Sequence, residues 1–291
     1  MEKDYTKLNR RLFQLLSCYL NFSSNAIKPE MVKQMVKDYA MNESNAVNML
    51  FASLLGLDIL DNEEDKIIYH EYFPLMIKKL DSNIYLSDPY YQNIHFDNLA
   101  DGLIEFKDEI YAPYEMFVYD DIEKLADGRQ VPKIGYFDRE FVYPTILENG
   151  QNWMSITPNE VETMRQDILD AHGRVLTFGL GLGYFAYMVA LNENVESVTI
   201  VEINEQEIGL FNKYILPQFS CRDKIKVIKA DAYKFAKENY PKEQYDYVYV
   251  DIWHDVGDGF DMYNKMKSYE ELNPNAEYRY WIEKSIKCYM D

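Results

Sequence analysis

Apolar positions recur at helical spacing over the first eighty residues and then change period. Leu8, Leu12, Phe13, Leu15, Leu16 and Tyr19 fall three and four apart, which is one face of an amphipathic helix. Pro29 stands where a first-turn proline belongs, ahead of Met31, Val32, Met35 and Val36. Residues 45–55 form a mostly apolar stretch closed by Gly56, a residue suited to the left-handed turn after a helix. Ile67, Ile68, Tyr72, Leu75 and Ile77 carry the helical pattern on towards Leu80. Residues 1–80 therefore read as a helical N-terminal region. Over 81–150 tyrosines, β-branched residues and turn formers take over, as in Gly102-Leu-Ile-Glu-Phe106 and Glu115-Met-Phe-Val-Tyr119. Asp127-Gly128 and Asn149-Gly150 are turn dipeptides of the hairpin type, so this stretch predicts a β-rich connecting cap.

From 151 to 291 helices and strands alternate. Thr157 is a suitable N-cap, Pro158 takes the first helical position, and Glu160 and Glu162 supply first-turn acids. Four short apolar strands follow, at 174–178, 197–201, 225–228 and 245–250, separated by helical patterns at 184–191, 205–215 and 232–239. Strands joined by helices imply right-handed crossovers and a parallel sheet. After Asp255 only 36 residues remain (291 − 255), and they read as two helices, 262–272 and 278–289. The expectation is an α/β, Rossmann-like domain whose parallel sheet is shortened at the C-terminus and completed by strands near 131–157. Exposed strands in such a sheet favour a homodimer.

The residues with chemistry sit at the ends of those strands. The first strand runs into Gly179-Leu-Gly-Leu-Gly183 and a helix opening at Tyr184. Glycines there allow a tight turn and a close ligand, and the helix start presents free N–H groups. A dinucleotide fingerprint has its third glycine three residues after the second; that position is Tyr184, so an adenosyl ligand without a pyrophosphate fits better. Glu202 ends the second strand 19 residues after Gly183, placed to accept hydrogen bonds from ribose hydroxyls, with Ile203 next to it. Asp231 closes the third strand, where it can take a hydrogen bond from an adenine amine, and Ala232 leaves room for the ring. Asp251 ends the fourth, beside the crevice where open α/β sheets bind ligands, followed by Trp253, His254 and Asp255. Asp251 can hold an amine or take a proton, and His254 can act as a base near neutral pH.

Charge and composition narrow the partners. The formal net charge is −19 with no offsetting basic stripe, which disfavours nucleic acid and favours a cationic small molecule. No apolar run is long enough to span a membrane, and Met1-Glu-Lys-Asp-Tyr5 lacks the features of a signal peptide, so a cytoplasmic location is expected. Cys18, Cys221 and Cys288 are far apart and form no CxxC pair, so they read as reduced thiols with no metal site.

Residues of about 150–255 resemble the class I S-adenosylmethionine-dependent methyltransferases, and among them the spermidine-synthase-like branch. The match rests on the Gly179/Gly181/Gly183 loop, on Glu202, Asp231 and Asp251, and on Val195-Glu-Ser-Val-Thr-Ile-Val-Glu-Ile-Asn204. The resemblance implies S-adenosylmethionine as cofactor, held by Gly179, Gly181, Gly183, Tyr184, Glu202, Ile203, Asp231, Ala232, Asp251 and Trp253. Asp251 and His254 would be catalytic in methyl transfer to a small-molecule acceptor, and Met154, Thr157 and Pro158 would border the site. The chain departs from the pattern at three places. Thr177 stands where methyltransferases carry an acid two residues before the first glycine. Leu182 replaces the aspartate of the spermidine-synthase loop. Asp251-Ile-Trp-His-Asp255 replaces a DSSD-like run. The last two departures disfavour the first alternative, a spermidine-synthase-like aminopropyltransferase, and Thr177 bears on contact to the methionine part of the cofactor. A second alternative is a ligand-binding or scaffold protein that keeps the fold without turnover.

Overall fold

A computed structural model describes residues 5–95 and 99–290. Residues 1–4, which belong to the signal-peptide reading, lie outside the described residues. The chain divides into two compact units, Met1–Ser82 with Ile110–Val142, and Asn83–Glu109 with Tyr143–Asp291. The stretch 81–150 is thus shared between the units.

In chain order the first unit opens with α1 (Tyr5–Ser23), α2 (Pro29–Tyr39), α3 (Glu43–Leu54) and α4 (Glu63–Ile67). A π-helical turn, Ile68–Tyr72, leads into α5 (Phe73–Met76) and β1 (Ile77–Lys79). The amphipathic face read in the sequence is the buried one: Leu8, Leu12, Leu16 and Tyr19 of α1 pack with Phe51 of α3 and with Tyr72, Phe73 and Met76. Pro29 occupies the first turn of α2, and Gly56 follows α3 at φ +71°, the left-handed geometry expected of it.

The second unit begins around α6 (Ser82–Leu86) and continues through α7 (Pro89–Asn93), β2 (Leu99–Asp101) and β3 (Ile104–Tyr111). The chain then returns to the first unit for β4 (Phe117–Lys124) and β5 (Gln130–Tyr136), which pair antiparallel, with β1 parallel to β5. It re-enters the second unit along β6 (Phe141–Glu148) and β7 (Gln151–Ser155). Asn149 and Gly150, both at positive φ, turn β6 into β7, and the four strands β2-β3-β6-β7 form one sheet.

The rest alternates as α8 (Pro158–Asp170), β8 (Gly173–Phe178), α9 (Tyr184–Ala190), β9 (Val195–Glu202), α10 (Glu205–Leu210), β10 (Ile225–Lys229), α11 (Ala232–Asn239), β11 (Tyr247–Val250), α12 (Val256–Lys267), β12 (Glu277–Tyr280) and α13 (Glu283–Met290). The sheet order is β10-β9-β8-β11-β12, all parallel. It reverses direction of build at β8, which lies between β9 and β11, so the carboxyl ends of β8 and β11 flank the crevice of a doubly wound sheet. Val175, Leu176 and Phe178 of β8 and Tyr247–Val250 of β11 are all buried, as strands covered on both faces must be.

Two expectations are corrected here. A fifth parallel strand exists: Glu277–Tyr280, read from the sequence as part of a helix, pairs residue for residue with Tyr247–Val250. Its four residues carry too little apolar pattern to announce a strand. The neighbouring backbone settles the conformation, with Trp281 N–H donating to the Val250 carbonyl and Ile282 at φ +46° breaking into α13. The strands near 131–157 do not complete the parallel sheet. β5 pairs with β1 and β4, and β6 and β7 belong to the antiparallel sheet. Among the described residues no helix is long and apolar enough to cross a membrane.

Candidate active site

The turn between β8 and α9 is built without slack. Gly179 has φ +97°, and a Cβ there would stand 1.9 Å from the backbone oxygen of Asp251. Only glycine lets the ends of β8 and β11 approach this closely. The space a side chain would need at Gly181 is taken by Met154 of β7, and that at Gly183 by the Phe211 ring. Protein atoms, rather than free space, therefore account for the small residues at these three positions.

One acid cradles an amide of this loop and a second is buried on the helix that follows β9. Glu202, at the end of β9, accepts the Leu180 N–H through Oε2 at 3.1 Å, and the Ile203 and Asn204 N–H groups through Oε1 at 2.7 Å each. Its carboxylate thus faces the glycine loop, as the sequence placed it. Glu207 of α10 is 1% exposed, and its Oε1 has no hydrogen-bond partner among the described residues. Burial raises the Glu207 carboxyl well above its ordinary range, and the nearby Glu202 charge adds to this. The Leu180 amide, which would help cradle a pyrophosphate, is engaged with the Glu202 carboxylate instead.

A second acidic pair lies at the carboxyl end of β11. Asp251 is held there by its N–H bond to the Phe178 carbonyl, at 2.9 Å. Burial pushes its carboxyl up to about 7, with a contribution from Glu202. Glu160, in the first turn of α8, is buried and raised well above the usual range, first by desolvation and then by the Asp251 charge. No cation offsets either of them among the described residues. Such a pair keeps a proton that a neighbouring cation would displace.

The remaining sequence candidates separate into two groups. Ile203 is exposed, and with Asp231 it lines one end of an open cleft of about 630 Å³ that runs along β10 and α11 to Asn239 and Glu243. Asp231 also caps α11 by accepting the Lys234 N–H at 2.9 Å, and Ala232 opens that helix. His254 is exposed beside β7, its ring 6.0 Å from the Trp153 ring and its Nε2 3.4 Å from the Asn152 carbonyl. Thr157 and Pro158 start α8, one turn ahead of Glu160, although the Thr157 side chain makes no capping bond. Two candidates point elsewhere. Tyr184 is buried, with its hydroxyl donating to Asp88 at 3.0 Å, and it packs edge-on against Tyr90. Trp253 is buried against Tyr280 and Gly259 instead of walling the crevice.

Glu160 and Glu207 were missed as site residues. Glu160 was legible only as a helix-start acid, and Glu207 lies on a helix whose sequence, Glu205-Gln-Glu-Ile-Gly-Leu210, looks solvated. The available clue was position: one follows the segment leading into the site, and the other sits five residues beyond Glu202. Leu182, at the position of the missing loop aspartate, is fully buried, and its carbonyl accepts the Tyr90 hydroxyl at 2.6 Å.

Part of the chain is similar to known proteins. Residues 144–273 match the spermine/spermidine synthase domain. Among solved structures the chain is similar to a spermidine synthase from Thermotoga maritima, at 15% identity and a TM-score of 0.32, covering 45% of this chain and 59% of that one. It is also similar to a spermidine synthase in complex with the transition-state analogue AdoDATO, at 18% identity and a TM-score of 0.30, covering 39% of this chain and 43% of that one. The chain thus spans about half the length of these structures. No curated protein matches it. Residues 144–273 are thus similar to the spermine/spermidine synthase domain, and they lie within a unit that carries an all-parallel, Rossmann-like sheet of order β10-β9-β8-β11-β12.

Proposed function

We propose that this chain is a transferase that binds S-adenosylmethionine and moves its methyl group to a small cationic amine. The observation that carries this reading is the Asp251–Glu160 pair at the carboxyl end of β11, a buried Glu160 carboxyl beside the half-buried Asp251, with no compensating cation among the described residues. An uncompensated acid pair of this kind favours positively charged ligands over anions. The residues around the crevice fit an adenosyl sulfonium. Glu202 retains lone-pair capacity for ribose hydroxyls beyond its three backbone bonds. Ile203 and Asp231 at the cleft suit an apolar ring with an amine edge. The engaged amide of Leu180 disfavours a dinucleotide.

When bound, the sulfonium supplies an electrophilic carbon and leaves as a neutral thioether. The chain's own residues would do the rest. Asp251, with its carboxyl near 7, accepts the proton that an attacking ammonium must lose to expose its lone pair. Glu160 holds a positive end of the acceptor. The bound sulfonium would supply the methyl group and take up the electron pair as a neutral thioether, while Asp251 would hold the proton that the acceptor nitrogen loses. Positioning and exclusion of water supply most of the rate in such an in-line displacement.

A second reading, aminopropyl transfer from decarboxylated S-adenosylmethionine, is favoured by Glu160, which supplies an amine-facing acid in place of the aspartate that Leu182 replaces. Product analysis with each sulfonium and a panel of amines separates the two. Calorimetry tests the site itself: Glu202→Ala should weaken S-adenosylmethionine binding by roughly tenfold or more. Unchanged affinity in that variant would remove the assignment.

A further inference from the structure

The glycine loop is held from a segment that the transfer chemistry above does not use. Residues 88–95, which include α7, lie in the same compact unit as the loop and are stitched to its surroundings by side chains. Asp88 caps α7 by accepting the Tyr90 N–H at 2.8 Å on one oxygen, and takes the Tyr184 hydroxyl at 3.0 Å on the other. Tyr91 donates its hydroxyl to the Ile156 carbonyl, just ahead of α8. At the far end His95 and Gln218 exchange two bonds, the His95 N–H to Oε1 at 2.9 Å and the Gln218 amide to the His95 carbonyl at 2.6 Å.

Tyr90 is the member of this segment that reaches the loop itself. It is fully buried, its ring lies edge-on to Tyr184 and Tyr187 of α9 at 5.6 and 5.8 Å, and its hydroxyl donates to the Leu182 carbonyl at 2.6 Å. The same peptide unit is held at its other polar group, where the Gly183 N–H donates to the Leu180 carbonyl at 2.9 Å. Leu180 in turn gives its N–H to Glu202. Gly183 stands at φ +77°, and glycine sets little steric bar against turning that peptide over, so polar partners have to fix its direction. Without the hydroxyl, a carbonyl in this buried place would lack a donor, a state that folded chains avoid.

We propose that Tyr90 is a positioning residue: its hydroxyl locks the Leu182–Gly183 peptide, so that the glycine loop, and through Leu180 the Glu202 carboxylate, is preset for the adenosyl ligand. Being buried, Tyr90 acts through the loop and not on the ligand. The inference rests on the adenosyl reading of the site for its ligand; the lock on the loop does not.

Tyr90→Phe removes one oxygen and keeps the ring against Tyr184 and Tyr187. Tyr247→Phe is the matched comparison. Tyr247 is likewise buried and donates its hydroxyl to a backbone carbonyl, that of Asp167, at 2.9 Å, but it opens β11 at the end of the strand away from Asp251. Each variant loses one buried hydroxyl–carbonyl bond, so both should melt lower than the wild type by a similar amount, roughly a few degrees. Only Tyr90→Phe should free the loop. Amide exchange over residues 180–184 of the ligand-free protein, followed by mass spectrometry, should quicken by roughly tenfold in Tyr90→Phe and match the wild type in Tyr247→Phe. Calorimetry with S-adenosylmethionine should show affinity roughly tenfold weaker in Tyr90→Phe and within about twofold of the wild type in Tyr247→Phe. Unchanged exchange over 180–184 in Tyr90→Phe, or unchanged affinity where the wild type binds, overturns the proposal. So does an equal loss of affinity in the two variants, which would mark a loss of stability alone. Faster exchange in Tyr90→Phe beside a wild type that binds no S-adenosylmethionine supports the lock and refutes the adenosyl reading.

Discussion

Replacing Gly179 with alanine should damage the protein more than a single methyl group normally does. The new Cβ would stand 1.9 Å from the Asp251 carbonyl oxygen, and that partner is backbone at a strand end, unable to swing aside as a flexible side chain would. The conformation adds to the effect, since φ is +97° and a side chain in left-handed backbone costs about 1–2 kcal/mol. Forcing extra volume into a packed site costs a further 1–3 kcal/mol, roughly. The total of about 2–5 kcal/mol corresponds to a fall in melting temperature on the order of 10 °C for a unit of this size. Gly209→Ala is the internal control: it lies in α10, nothing stands within 4 Å of its added Cβ, and a helical alanine should stabilise by about 0.5–1 kcal/mol. Differential scanning calorimetry on the wild type and both variants reads the two effects in opposite directions. A Gly179→Ala protein melting within about 2 °C of the wild type would refute the close approach of β8 and β11 on which the site depends.

Asp251→Asn should lower the rate of transfer to an amine by roughly a hundredfold or more. In the wild type that rate should rise with pH through about 7, where the carboxyl becomes able to take a proton, and a pH–rate profile without that limb would count against Asp251 as the base. The same raised carboxyl destabilises the fold as pH climbs from near 4 to near 7, so Asp251→Asn should melt higher than the wild type at pH about 8 and equal to it in acid. Leu182→Asp, which recreates the loop aspartate of spermidine synthases, should unfold the unit instead of conferring aminopropyl transfer. Its site is fully buried, and an unpaired buried charge costs several kcal/mol, roughly; a stable, active variant detected by circular dichroism and product analysis would contradict this.

The parallel core was readable because β8, β9 and β11 are continuous apolar runs closed by acids or glycines, and period and punctuation agree there. The same clarity placed Glu202 against the loop and Asp251 at the crevice. Glu277–Tyr280 was not readable because four residues of alternating charged and aromatic type are too short a run to outweigh the helical reading of 278–289, and the strand is set by the neighbour it pairs with. Trp253 and Tyr184 were placed by position in the chain, which gives the strand end or helix start but not the side-chain direction; one ring turned towards Tyr280, the other towards Asp88. Glu160 and Glu207 were hidden for a related reason. An acid on a short helix looks solvated until tertiary packing buries it, and packing is a non-local property.

The two outermost strands of the parallel sheet bear on how the molecule tolerates crowding. β10 turns the exposed Lys226 and Lys229 outwards, and β12 carries Glu277 and Arg279, with Arg279 tied to Asp167 and Asp170 of α8. A foreign strand that zipped onto either rim would have to strip water from these charges and, at β12, break ion pairs already made. Charged residues so placed act as gatekeepers: each open flank of the sheet is a poor template for runaway polymerisation, and self-association through strand addition is opposed by the very residues that terminate the sheet.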